Sequence, residues 1–178
     1  MDRSQGELQQ LKCLGILLVA VVASIATVSC NPFAPELDET AGQVKFGDPT
    51  TIEGYFESFR YAYQFKDTSL YSSLLDQSFI FSYKNYDRGL DLEWGRDEEV
   101  RTTAALFNSV QSLDLLWGNV LDSLGTATTF DITRTFSLDV TLNPSEVIHV
   151  DGRAIFSLRR DTIGKPWRAV RWRDESNL

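Results

Sequence analysis

The sequence predicts an α+β domain, helices first and an antiparallel sheet after, behind an N-terminal targeting segment. Apolar side chains from Thr50 recur at helical spacing, and from Phe130 to Leu142 they alternate with polar ones. Short polar turns follow, leaving no room for crossover helices between the later strands.

In the first helix Ile52, Tyr55, Phe56, Phe59, Ala62 and Tyr63 share one face. Asp48 or Thr50 caps its start, with Pro49 in the first turn. Asp67-Thr68 opens a second, short helix carrying Tyr71, Leu74 and Leu75. Ser78 to Tyr83 alternates as a strand, and a loop follows. A third helix begins near Gly95. Asp97, Glu98 and Glu99 occupy its first turn, where the helix dipole favours anions, and Val100, Ala104 and Phe107 supply its apolar face. From Leu113 onward the chain is mostly β. Phe130, Ile132, Phe136, Leu138, Val140 and Leu142 share one parity of a long strand with one buried face. Asn143 to Glu146 makes a turn, and the return strand places Val150, Gly152, Ala154, Phe156 and Leu158 inward. The turn from Asp161 to Pro166 leads into a last strand over Trp167–Trp172.

Taken with this order of elements, three patterns resemble the NTF2-like (SnoaL-like) superfamily over residues 50 to 175. They are Asp67-x-x-x-Tyr71-x-x-Leu74-Leu75-x-x-x-Phe79, Gly152-Arg-Ala-x-Phe156-x-Leu158 and the ending Trp167-Arg-Ala-Val-Arg-Trp172-Arg-Asp174. The resemblance implies a cone, with helices packed on a strongly curved antiparallel sheet and a pocket at the wide end. It implies no single occupation. The superfamily includes ketosteroid isomerases, dehydratases and cyclases, and also non-enzymatic binding and assembly domains. Its isomerases use a buried Asp base beside a Tyr or a protonated acid. No acid of this sequence aligns with that role, so no catalytic residue is carried over.

Composition bounds the rest. Of 178 residues, 43% are hydrophobic and 12% aromatic, enough for one real core. A net charge of −8 argues against nucleic-acid binding, which needs a basic surface. There is no phosphate loop, nucleophile elbow or zinc spacing, and no cofactor is expected. The acids between Asp91 and Glu99 lack the regular oxygen spacing and glycine turn of a hard-metal loop, so they read as helix-start acidity and no metal site is expected.

Residues 1–29 read as a signal peptide: Lys12, then an uncharged apolar run from Cys13, then small residues up to Ser29. Thr27-Val-Ser-Cys30 resembles the lipobox of bacterial lipoproteins, although Thr27 stands where an aliphatic residue is usual. On that resemblance Cys30 is acylated and becomes the mature N-terminus, and Asn31 after it favours the outer membrane, facing the periplasm. Several acyl chains, at about 0.8 kcal/mol per buried methylene, make a stable anchor. The alternatives are an uncleaved inner-membrane anchor, for which the run is short, and a Cys13–Cys30 disulfide. Residues 30–49, with Pro32, Pro35, Pro49, Gly42 and Gly47, read as a flexible tether to the domain at 50–178.

Few residues stand out for function. His149, the sole imidazole, shares its strand face with Asp151 and Arg153, so it reads as an exposed, salt-linked group. Arg134 is the one charge in the apolar register of the long strand. It is either a ligand-facing group for an anion or an arginine bonded to an internal carboxylate. Trp94, Trp117, Trp167 and Trp172 read mostly as core, since aromatics dominate packing, with Trp94 and Trp117 the candidates to line a pocket. From Arg153 to Arg173 the chain carries +6, against −14 for the remainder, and this basic hairpin faces the protein's own acids, solvent or an anionic partner. The expectation is a lipid-anchored, non-catalytic envelope protein binding a small apolar or anionic ligand, or a protein partner. Two alternatives stand beside it: an isomerase or dehydratase with carboxylates in the pocket, and a structural module that forms homodimers through its sheet. Two convergent acids in the cavity, or an acid and a tyrosine, distinguish the enzyme.

Overall fold

A computed structural model describes residues 47–85 and 89–176. The signal peptide, Cys30 and most of the tether lie outside these residues. Helix α1 (Ile52–Gln64) is followed by α2 (Thr68–Ser73), β1 (Leu75–Asn85), β2 (Leu90–Gly95) and α3 (Arg96–Ser109). Four strands complete the chain: β3 (Ser112–Gly125), β4 (Thr129–Asn143), β5 (Glu146–Arg159) and β6 (Arg168–Ser176). Among the described residues no helix is long and apolar enough to cross a membrane.

The helix starts follow from local chemistry. Thr51, one residue beyond the predicted caps, accepts the Gly54 amide at 3.0 Å. Asp48 instead shapes the turn before it, accepting from the Thr50 amide at 2.9 Å. A side chain at position 54 would meet the Asp48 carbonyl oxygen at 2.0 Å, so only glycine lets this turn fold back on α1. Asp67 caps α2 by accepting from the Leu70 amide at 2.9 Å, as the spacing predicts.

The strands form one open six-stranded sheet in the order β2-β1-β6-β5-β4-β3. It is mixed, which corrects the antiparallel expectation. Strand β6 runs antiparallel to β5 and parallel to β1, whereas every other neighbouring pair is antiparallel. The meander from β3 to β6 fixes the direction of β6, and α3 carries the chain from β2 to the far edge. The loop expected after Tyr83 contains β2, whose Trp94 pairs with Phe81. Strand β5 approaches β6 closely at Gly152, where an added side chain would come within 2.6 Å of the Ser176 Cα.

Helix α1 packs its aromatic face on the sheet. Phe59, 1% exposed, contacts the rings of Tyr63, Tyr71, Trp117, Phe156 and Trp172 at centroid separations of 5.2–5.7 Å. Phe156 stacks on Trp172 at 5.3 Å and closes the bottom of this cluster. The parities predicted for β4 and β5 hold, with Ile132, Phe136, Val140, Ala154, Phe156 and Leu158 all buried.

Candidate functional site

Beyond the aromatic cluster the sheet and helices separate around a cavity of about 660 Å³. That volume suits a small organic molecule. Strand β4 shows how the sequence makes a hollow. Leu138 and Leu142 keep the inward parity of Phe136 and Val140, yet they remain only half-buried because they line space rather than a helix. The opposite wall comes from Phe81 and Tyr83 of β1, Trp94 of β2, and Leu106 of α3.

Glu99 lies in this wall, 4% exposed. Its Oε1 accepts from the Tyr71 hydroxyl at 2.5 Å and from Thr103 Oγ1 at 3.1 Å. Its Oε2 accepts from Trp94 Nε1 at 2.6 Å. Three donors from α2, α3 and β2 thus converge on one carboxyl, which is how its burial is tolerated. The residue reads from sequence as a helix-start acid, and it does sit in the first turn of α3. The predicted Val100–Ala104–Phe107 stripe does face the core, with Phe107 buried and Val100 and Ala104 half-buried, but the most buried line on α3 is Glu99–Thr103–Phe107, which the sequence reading left out.

Asp174 is the second acid on the lining. Strand β6 runs past the predicted end at Trp172 to Ser176, and the parity of Trp172 carries Asp174 inward beside Tyr83 of β1. Its Oδ2 accepts from Ser176 Oγ at 3.2 Å, whereas the buried Oδ1 has no hydrogen-bond partner among the described residues. Burial pushes the carboxyl up to about 6; the charges of Glu99 and Glu175 add to this, and hydrogen bonds from Ser176 oppose it. Trp172 Nε1 is likewise buried without a hydrogen-bond partner among the described residues. Tyr63 also faces the cavity, and burial holds its hydroxyl far above the ordinary tyrosine value, with Glu99 and Asp174 contributing. Asp174 was visible in sequence only as part of a family-like ending. Extending the alternation of β6 by two residues is the signal that finds it.

Of the residues singled out by sequence, Trp94 and Trp117 line the cavity. Trp117 also donates from Nε1 to the Phe56 carbonyl at 3.0 Å, tying β3 to α1. Arg134 does not line it. Its guanidinium donates to Glu53 at 2.9 and 3.2 Å and to the Gly118 carbonyl at 3.0 Å, with its carbon 5.0 Å from the Phe56 ring centre. Its partner carboxylate is Glu53, in the first turn of α1, which is itself largely exposed, so the pair lies at the surface.

His149 is exposed on β5, with Nδ1 2.5 Å from Asp139 Oδ1 and Nε2 3.0 Å from Asp151 Oδ2. Asp139 foremost, with Asp151, raises its proton affinity above the ordinary histidine value. In the basic hairpin Arg159 pairs with Asp76 at 2.9 Å, Arg153 with Glu175 at 2.7 Å and Arg173 with Glu175 at 3.3 Å. Arg160 caps the Trp167 ring at 4.3 Å. Among the described residues no three His, Cys, Asp or Glu side chains group to hold a metal ion.

No family model and no curated protein matches the sequence. Solved structures do. A protein of Streptomyces avermitilis, assigned as a dehydratase from the NTF2-like family, is similar with a TM-score of 0.56 and 18% identity, over 74% of this chain and 97% of its own. The β subunit assigned to an aromatic-ring-hydroxylating dioxygenase of Novosphingobium aromaticivorans is similar with a TM-score of 0.59 and 12% identity, over 73% and 89% of the two chains. A conserved protein of Planctomyces limnophilus gives a TM-score of 0.61 at 16% identity, over 70% and 92%. Identities this low establish the fold alone. The domain has an NTF2-like α+β fold, as its sequence predicts.

Proposed function

We propose that the cone is a binding site for a small, largely apolar molecule whose polar end meets Asp174. The observation that carries this reading is one carboxyl group on the lining of a hollow of about 660 Å³, with a buried oxygen that has no hydrogen-bond partner among the described residues. Burying such a group unpaired costs on the order of 1–3 kcal/mol, and a bound ligand offsets that cost. The protein presents this site from the cell envelope, held to the outer membrane through acylated Cys30. Support for the anchor is the apolar run from Cys13 that ends in Thr-Val-Ser-Cys30. Native mass spectrometry of the domain from residue 47 onward, purified from cells, tests the binding reading. A retained small molecule that is lost in Leu138→Trp, which fills the cavity, is the expected result. Failure of every extract component to bind sinks it. Mass spectrometry of the mature N-terminus tests the anchor, and an unmodified chain starting at Met1 contradicts it.

A second reading rests on a specific feature. A carboxyl that titrates near pH 6 beside a buried tyrosine can hold or release a proton at physiological pH, as isomerases and dehydratases require. The dehydratase assignment of one structural neighbour is a fold-level analogy in its favour. Glu99 is the less suitable proton carrier, because both of its oxygens already accept hydrogen bonds from the protein. Turnover of a retained ligand in vitro, abolished in Asp174→Asn, separates catalysis from binding alone.

A further inference from the structure

The charge of the cavity's occupant follows from its lining. Two carboxyl groups, Glu99 and Asp174, face a hollow whose other walls are mainly aromatic and aliphatic. Lys84 is the one cation among the described lining residues, and it is exposed near the end of β1. Arg134, on the same sheet face, is occupied by Glu53. Glu175, the acid beside Asp174 on its own strand, is paired outward with Arg153 and Arg173. The two lining carboxyls therefore face the cavity without a buried counter-cation, where a reduced dielectric strengthens their field.

The rings around them suit a positive ligand. Trp94 stacks on Phe81 at 4.7 Å and lies 5.5 Å from Tyr83, and Phe81 meets the Trp172 ring edge-on at 4.9 Å. Aromatic faces carry partial negative charge and attract cations, most strongly where water is excluded. Trp94 is held in place by its bond to Glu99, so the ring and the carboxyl form one unit.

We propose that the cavity is an aromatic and carboxylate cage for an organic cation, an amine or quaternary ammonium group on an apolar body. The rings of Phe81, Tyr83, Trp94 and Trp172 enclose the cationic head, and Asp174 and Glu99 neutralise it. The proposal rests on the binding reading above and names its ligand class. An anionic ligand is disfavoured by the same two carboxyls. Asp174 must be ionised to act, and the groups facing it are Glu99 from α3, Tyr63 from α1, Tyr83 and Lys84 from β1, and Glu175 and Ser176 on its own strand. Binding of a cation accordingly weakens as pH falls through about 6, with uptake of a proton by Asp174.

Three near-isosteric probes test this by calorimetry at pH 7: 3-(trimethylammonio)phenol, 3-tert-butylphenol and 3-hydroxybenzoate. The cation is expected to bind at least about tenfold tighter than the neutral phenol, and the anion not measurably. Between pH 7 and pH 5 the cation should weaken by about five- to tenfold while the neutral phenol is unchanged. Asp174→Asn, checked for folding by its melting curve, should remove this pH response and most of the preference for charge. Equal or tighter binding of the neutral phenol, lost in Leu138→Trp, overturns the cationic class and leaves the cavity as a binding site. Absence of binding by all three probes overturns both.

Discussion

Asp174, Glu99 and Arg134 are three charged residues turned toward the interior, and each solves the cost of burial differently. Asp174 does so by holding its proton more tightly than an exposed carboxyl. The folded state keeps a proton that the unfolded chain releases between pH 4 and 6, so its contribution falls as pH rises through that window. Asp174→Asn escapes the loss. Above pH 6 it should be more stable than the parent by about 1–2 kcal/mol, a gain of a few degrees in melting temperature that disappears at pH 4. Thermal melts across pH check this. Glu99 satisfies three donors instead, so Glu99→Ala strands the Tyr71 hydroxyl and the Trp94 indole and should destabilise by about 3 kcal/mol. Arg134 pairs with Glu53 and covers Phe56. Arg134→Met should cost about 1 kcal/mol in urea denaturation and leave probe binding in the cavity unchanged. His149, exposed between two aspartates, should show an NMR titration midpoint above the ordinary histidine value. Its ion-pair contribution is present below that ordinary value and is lost as pH rises through the raised one.

At the scale of elements, the long amphipathic segments were legible and the short ones were not. Helix α1 and strands β4 and β5 each bury one face over many residues, so periodicity alone identifies them. Strand β2 is short, and in Leu90–Gly95 only Leu92 and Trp94 are partly buried, so its alternation is too brief to distinguish from a loop. The parallel pairing of β1 with β6 could not be read, because pairing depends on where α3 delivers the chain and no local pattern records that. Trp94 and Trp117 line the hollow, as does Trp172, and sequence alone does not separate such wall tryptophans from core ones, because both pack against apolar neighbours. Asp174 and Glu99 were missed because an inward acid looks like an outward one until the strand end and the packing around the helix start are known. The aromatic face of α1 also sets a prediction at this scale. Phe59→Ala removes a ring that packs against six others and should cost about 3–5 kcal/mol, read by chemical denaturation.

At the scale of the described domain, an NTF2-like α+β fold holds a cluster of packed rings under α1 and a hollow beside it. Phe56 and Phe59 of α1 pack on Phe156 and Trp117, whereas Leu138 and Leu142 line the hollow together with Tyr63 of the same helix. Proposed acylation at Cys30 adds an address to this site without altering its chemistry. The claim that the hollow is a ligand site organised around Asp174 is open to one direct measurement: the carboxyl 13C shift of Asp174, followed through a pH titration with and without 3-(trimethylammonio)phenol. The account predicts a midpoint near 6 in the free protein, moving toward the ordinary aspartate value when the probe is bound. A midpoint near 4 in the free protein, unmoved by saturating probe, would contradict it.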